Sequence, residues 1–305
     1  MTMGTLRPKN ERKPMKRALL LLATLVLAPL FAAQGGFEGG RPTHPLLLAG
    51  NGYFAIVNPD SSIAKRWGGG NNNDGWLLPN GHLLATDGTA WEADENGKRV
   101  WQYKATETKG GGVYACQRLP NGNTLIAENS TGTIFELSPS GERSNVIKVP
   151  LNEKNRHQTL RMVRRLPNGN TLVCRSGAAI VEIYDPAQKL VWSQRVPTLA
   201  FAAIQDAKGN VWVASLGQVQ KWSPDHKLLW ELKAAETGLP IKNMTGLHLL
   251  PNGNLIVGCY AYGKGVGAFE VTPEKKILWR YSSGKGSDSH MAVQLLDPAI
   301  ATPNR

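Results

Sequence analysis

YACQRLPNGNTLIAENSTGTIFELSPSGERSNVIKV, residues 114–149, holds the pattern on which the fold turns. YACQRL runs into Pro120-Asn121-Gly122, and Asn-Gly is a strong hairpin signal because both positions tolerate positive φ. TLIAE then reads as a buried strand, Ser130-Thr131-Gly132 as a loop and TIFEL as an alternating strand. SPSG at 138–141 makes a second turn, with a fourth strand after it. Pro and Gly at these positions would break helices. The unit is a four-stranded antiparallel sheet.

The same unit recurs through the chain. LLPNGHLLAT (77–86), RLPNGNTLIAE (118–128), RLPNGNTLVCR (165–175), QDAKGNVWVAS (205–215) and LLPNGNLIVGC (249–259) share one register, with spacings of 41, 47, 40 and 44 residues. A four-stranded sheet repeated at this period is a propeller blade. Five blades follow at about 72–105, 113–149, 160–196, 200–234 and 244–282. Two fragments remain. Residues 45–67 match the second, third and fourth strands, and 290–297, HMAVQLLD, match a first strand. Pairing them completes a sixth blade and hides the edges that an open ring would expose. The expected fold is therefore an all-β, six-bladed β-propeller over 45–297, closed by its C-terminal strand on its N-terminal strands.

A second repeated word ends in Trp: ADENGKRVW (93–101), DPAQKLVW (185–192), SPDHKLLW (223–230) and TPEKKILW (272–279), with NPDSSIAKRW (58–67) similar. Trp67, Trp101, Trp192, Trp230 and Trp279 are expected as wedges between blades. Each would contribute on the order of 2–3 kcal/mol if fully buried.

Outside the repeats, KRALLLLATLVLAPLFAAQG (16–35) has a basic start, an apolar run and small residues, the layout of a secretory signal peptide over 1–35. Cleavage after Gln34 or after Gly35 fits equally, and Met15 offers an alternative start. Residues 36–44 read as a linker and 298–305 as a tail. The formal net charge is +12. Six of the basic residues lie in 1–35 and the rest scatter among the repeats, which is a solvated surface rather than a nucleic-acid footprint. Cys116, Cys174 and Cys259 are an odd set inside apolar runs and suit small buried hydrophobes.

The LPNGN(T)L word followed by a D-P-x-x-K-x-x-W turn resembles the repeats of quinoprotein-like (PQQ-like) β-propellers and of arylsulfotransferase-type propellers. The resemblance spans 45–297 and implies a bacterial secreted or periplasmic protein. The family activities it brings are quinone-dependent oxidation and sulfuryl transfer by a histidine. Scaffold propellers that bind proteins carry the same repeats.

Three polar segments fall on the expected channel mouth: Gly68–Gly75, Asn152–Arg161 and Ser282–His290. Asn72, Asn73 and Asp74, with Glu128 across the mouth, are candidate oxygen ligands for a small molecule or Ca²⁺, although such a loop also suits turn chemistry. His157, Arg161 and His290 are the candidate catalytic set, a histidine nucleophile with a cation beside it for group transfer. Tyr260, Tyr262 and Lys264 sit on the longest second-to-third strand loop and could cap a ligand. The leading expectation is a monomeric, non-catalytic module binding a protein, glycan or small molecule. The alternatives are a sulfotransferase- or lyase-like enzyme, or a quinone-dependent oxidoreductase.

Overall fold

Hairpin turns set the blades. The computed structural model describes Met1, residues 35–260, 265–284 and 288–300, and Arg305, without the side chains of Asn51 and Asn71. The leader expected at 1–35 lies, but for its two ends, outside these residues. At Leu119–Gly122 the Gly122 N–H donates to Leu119 O at 3.0 Å, and Asn123 N–H donates to the Asn121 side chain at 3.0 Å. Gly122 alone turns left-handed, with φ +85°. This corrects the two-residue Asn-Gly turn. Pro120 fixes a negative φ at the first centre, so the loop is a type I turn closed by a left-handed glycine.

Six antiparallel blades stand in a ring. Blade 1 comprises Asp74–Leu77, Leu83–Thr86, Thr89–Ala93 and Arg99–Lys104, and blades 2 to 5 repeat the plan from Val113, Val163, Ala200 and Asn243. First strands are buried, and the fourth strands of blades 1 to 4 carry most of the exposed residues, so each blade runs from the axis outward. Blade 6 is composite. Its inner strand His290–Leu295 pairs with Leu46–Val57 through Leu46↔Leu295, Leu47↔Gln294, Leu48↔Val293 and Ala49↔Ala292. Leu46–Val57 changes partner at Gly50 and runs on against Ile63–Asn71, so one strand fills the second and third places.

Packing crosses the seams rather than filling blade interiors. Leu46, Leu48, Val57, Val293 and Leu295 of blade 6 cluster with Ile256, Trp279 and Tyr281 of blade 5. Leu47, Phe54 and Ala292 cluster with Leu83 and Trp91 of blade 1. Side chains also satisfy the next blade's inner strand. Arg165 N–H donates to Gln117 Oε1 at 2.8 Å, Leu77 N–H to Gln294 Oε1 at 3.1 Å, and Leu295 N–H to His248 Nδ1 at 2.8 Å.

The Trp wedges need two corrections. Strand register places Lys65, not Trp67, opposite Ile56 at the site where Trp101 faces Glu92. Of the four that share the position, only Trp279 is fully buried, at 1% exposure. Trp192 and Trp230 lie half-exposed across the seam, where their Nε1–H groups donate to Pro224 O (3.1 Å) and Pro273 O (2.7 Å) of the next blade. Their burial contribution is accordingly smaller than that of a fully enclosed ring.

Two terminal segments carry more structure than the sequence suggested. Gly36–Glu38, within the expected linker, adds a fifth strand to blade 5 and lays Phe37 edge-on against Trp279 at 5.3 Å. Arg305, within the expected tail, is 3% exposed. The three cysteines are free and buried.

Two outcomes test the closure. Deleting residues 288–305 removes the blade 6 inner strand and is expected to lower the melting temperature by about 10 °C or more; a melt within a few degrees of the intact protein contradicts it. The second is acid lability. Burial, then the Arg305 charge, pushes His248 down to about 3, and its Nδ1 must stay unprotonated to accept from Leu295. The unfolded chain takes up that proton below about 6.5, so stability is complete above that pH and falls as pH drops toward 3. Between pH 7.5 and 5 the loss from His248 is on the order of 2 kcal/mol. His248→Gln, which keeps an acceptor, should flatten this part of the urea-denaturation profile.

Candidate functional site

The repeat register builds a ring at the axis. Asn73, Tyr114, Arg161, Phe201, Thr245 and Met291 each stand six residues before the turn Pro or its equivalent, one per blade. All six line one cavity of about 20 Å³, with Asp74, Met162, Arg164 and Ala292. That is room for about one water molecule.

The floor is ionic. Arg164 of blade 3 grips Asp74 of blade 1 with both terminal nitrogens, at 2.7 and 2.9 Å. Asp74 is 2% and Arg164 4% exposed. The carboxylate also accepts from Gly75 N–H at 3.1 Å and Cys116 N–H at 3.3 Å. Such a pair is kept by bidentate geometry and extra donors, because desolvation cancels much of its Coulombic gain. Arg305 joins from outside the blades. It lies 3.4 Å from Asp74 Oδ1, donates to Val293 O at 2.9 Å and to Gly75 O, and covers the Trp76 ring at 4.0 Å. Arg164 Nε–H donates to the Arg305 carbonyl oxygen at 2.7 Å.

The mouth is a chain of neutral acceptors around Arg161. Its guanidinium donates to Asn73 Oδ1 at 3.1 Å and to His157 Nε2 at 2.7 Å, and lies 4.9 Å from the Tyr114 ring centre. Accepting at Nε2 puts the His157 proton on Nδ1, facing the Tyr114 hydroxyl, which in turn donates to Gly110 O at 2.9 Å. Burial first, and the Arg161 charge second, push His157 down to about 4. The ring is neutral at physiological pH, with Nε2 accepting from Arg161 and Nδ1 engaged with Tyr114. The glycine run 110–112 makes this possible: Gly111 has φ +111°, and a Cβ there would collide with the Tyr114 hydroxyl.

The remaining candidates disperse. His290 is 0% exposed, with Nε2 3.2 Å from the Tyr53 hydroxyl and its ring edge-on to Tyr281. Burial pushes it down to about 4, although Asp288 opposes the shift. His157 and His290 thus belong to separate clusters. Asn72 turns away from the cavity and donates to Gly50 O and Tyr53 O at 2.7 and 2.8 Å. Glu128 accepts from Tyr103 and from Thr131 (2.8 Å), instead of facing the mouth. The oxygen set proposed for Ca²⁺ is therefore not brought together, and among the described residues no group of three or more His, Cys, Asp and Glu assembles. Tyr260 bridges to Ser289. Tyr262 and Lys264 lie outside the described residues.

Sequence reading named Asn73, Asp74 and Arg161 from the cavity and missed Tyr114, Met162, Arg164, Phe201, Thr245, Met291 and Ala292, together with Arg305 beneath it. Aligning first strands on the turn Pro would have placed the six ring residues at one register position.

No family model matches the chain, and no curated protein matches it. Solved structures do. A protein of unknown function from Bacteroides caccae is similar at 20% identity and TM-score 0.69, over 82% of this chain and 97% of that one. A streptogramin B lyase matches at 11% identity and TM-score 0.56, over 80% and 86%. A catalytically inactive form of virginiamycin B lyase from Staphylococcus aureus, solved with quinupristin, matches at 11% and TM-score 0.55, over 82% and 89%. At these identities the likeness carries the fold, the six-bladed β-propeller.

Breaking the floor pair tests its role. Asp74→Asn strands a buried guanidinium and is expected to cost about 3–5 kcal/mol, whereas Asp74→Leu with Arg164→Met should cost much less. Urea denaturation reads both, and equal losses would contradict the pairing argument.

Proposed function

We propose that this chain is an exported binding module that takes a small ligand bearing an acceptor oxygen, such as a carboxylate, at the six-residue mouth. The carrying observation is the setting of Arg161: a cavity-lining guanidinium steadied by Asn73, His157 and the Tyr114 face. A preoriented planar fork beside Met162, Phe201 and Met291 suits an oxyanion attached to an apolar body. The leader pattern at 16–35 supports export. Among the described residues no helix is long and apolar enough to cross a membrane.

The histidines support binding over group transfer. His157 is an orienting residue with both nitrogens engaged, and His290 is enclosed by Tyr53 and Tyr281. A second reading, a lyase acting through His157 and Arg161, draws on the shape shared with the streptogramin B lyases.

Calorimetric titration with acetate and benzoate tests the first reading. Saturable binding should weaken by about 10–100-fold in Arg161→Gln, the value of a charged hydrogen bond. Equal affinity in both proteins, or none in either, overturns it. Incubation with quinupristin tests the second: the binding reading expects no product, and turnover lost in His157→Ala would replace it.

A further inference from the structure

Arg305 is a guest at the axis. It comes from no blade strand, yet four groups from two blades converge on it: the Asp74 carboxylate, Gly75 O and the face of Trp76 from blade 1, and Val293 O from blade 6. Together they make a planar slot edged by acceptor oxygens, its carboxylate shared with Arg164, which complements a guanidinium and fits an ammonium poorly. Arg164 Nε–H holds the guest's carbonyl oxygen at 2.7 Å. The fit is incomplete, because the buried Nε of Arg305 has no hydrogen-bond partner among the described residues. A buried donor left unmatched weakens a guest's hold.

From this we infer that the channel floor is a guanidinium site, occupied in cis by Arg305. The ligand it takes in trans is arginine-like, with a guanidinium for Asp74 and an acceptor oxygen for the arginines above. The inference rests on the mouth being a ligand site and names the ligand's other end. Arg305 can leave without breaking a strand ladder, since its contacts are made by its side chain and its own carbonyl. The vacated slot adjoins the existing cavity, which Asp74, Arg164 and Ala292 also line. Arg305 is therefore an internal competitor that an external guanidinium must displace.

The test vacates the slot and offers it a guest. Arg305→Ala, and Arg305→Gln should the first variant fold poorly, are titrated with agmatine, putrescine and acetate by calorimetry and thermal melting. Agmatine should bind the variants and raise their melting temperature. Intact protein should respond about tenfold more weakly or less, because its competent state is mostly occupied. Putrescine, with ammonium groups only, should bind at least about tenfold more weakly than agmatine. Absence of agmatine binding in both variants, or equal binding of putrescine, overturns the guanidinium site. If acetate binds while agmatine does not, this inference falls and the mouth reading stands; if neither binds, both fall.

Discussion

An inner strand that borders an open channel has no neighbouring strand on its axial side, so its backbone donors must be satisfied by something else. Here side chains from the preceding blade do it. Gln117, His248 and Gln294 occupy one register position, three residues before the turn, and each accepts from a backbone N–H of the next blade. Trp76 uses the same position to donate to Cys116 O at 2.7 Å. Blade spacing, the identity of the ring residues and the size of the cavity all depend on these contacts. Because apolar clusters also span the seams, a blade removed from its neighbours would lose both its core and its backbone partners.

Where the axial position is not needed for a seam, it becomes available for chemistry. Blade 3 places Arg164 there, which reaches past blade 2 to Asp74 and converts the channel floor into an ion pair. One layer up, Arg161 takes its orientation from neutral partners. A half-buried histidine between an arginine and a tyrosine remains uncharged, so His157 adds rigidity and an acceptor without adding charge. The same logic applies to His248 and His290, which serve as neutral hydrogen-bonding groups in a water-poor interior.

Architecture was legible in the sequence because repetition reports it many times over. The PNG words fixed blade count and register, and the orphan fragments 45–67 and 290–297 forced closure. The site was less legible. Polar loops drew attention to Asn72, Glu128 and Tyr260, whereas the cavity is lined from strands, where Tyr114, Phe201 and Met291 read as ordinary core residues. Turn type escaped because Pro120 overrides the preference of Asn-Gly for paired positive φ. The fifth strand at Gly36–Glu38 and the seating of Arg305 are long-range events with no local periodicity to announce them. Trp67 falls out of line because it lies eight residues after its turn proline, Pro59, whereas Trp192, Trp230 and Trp279 each lie six after theirs, a difference that the similarity of the words hides.

Native-state hydrogen exchange measures the closed ring most directly. Amides of Leu47–Ala49 and Ala292–Leu295, drawn from opposite ends of the chain, should open with the same free energy as Leu125–Ala127 inside blade 2, at the level of global unfolding. Exchange of the Ala292–Leu295 amides through openings far cheaper than global unfolding would contradict the account, because the sixth blade would then be a frayed edge instead of the clasp of the ring.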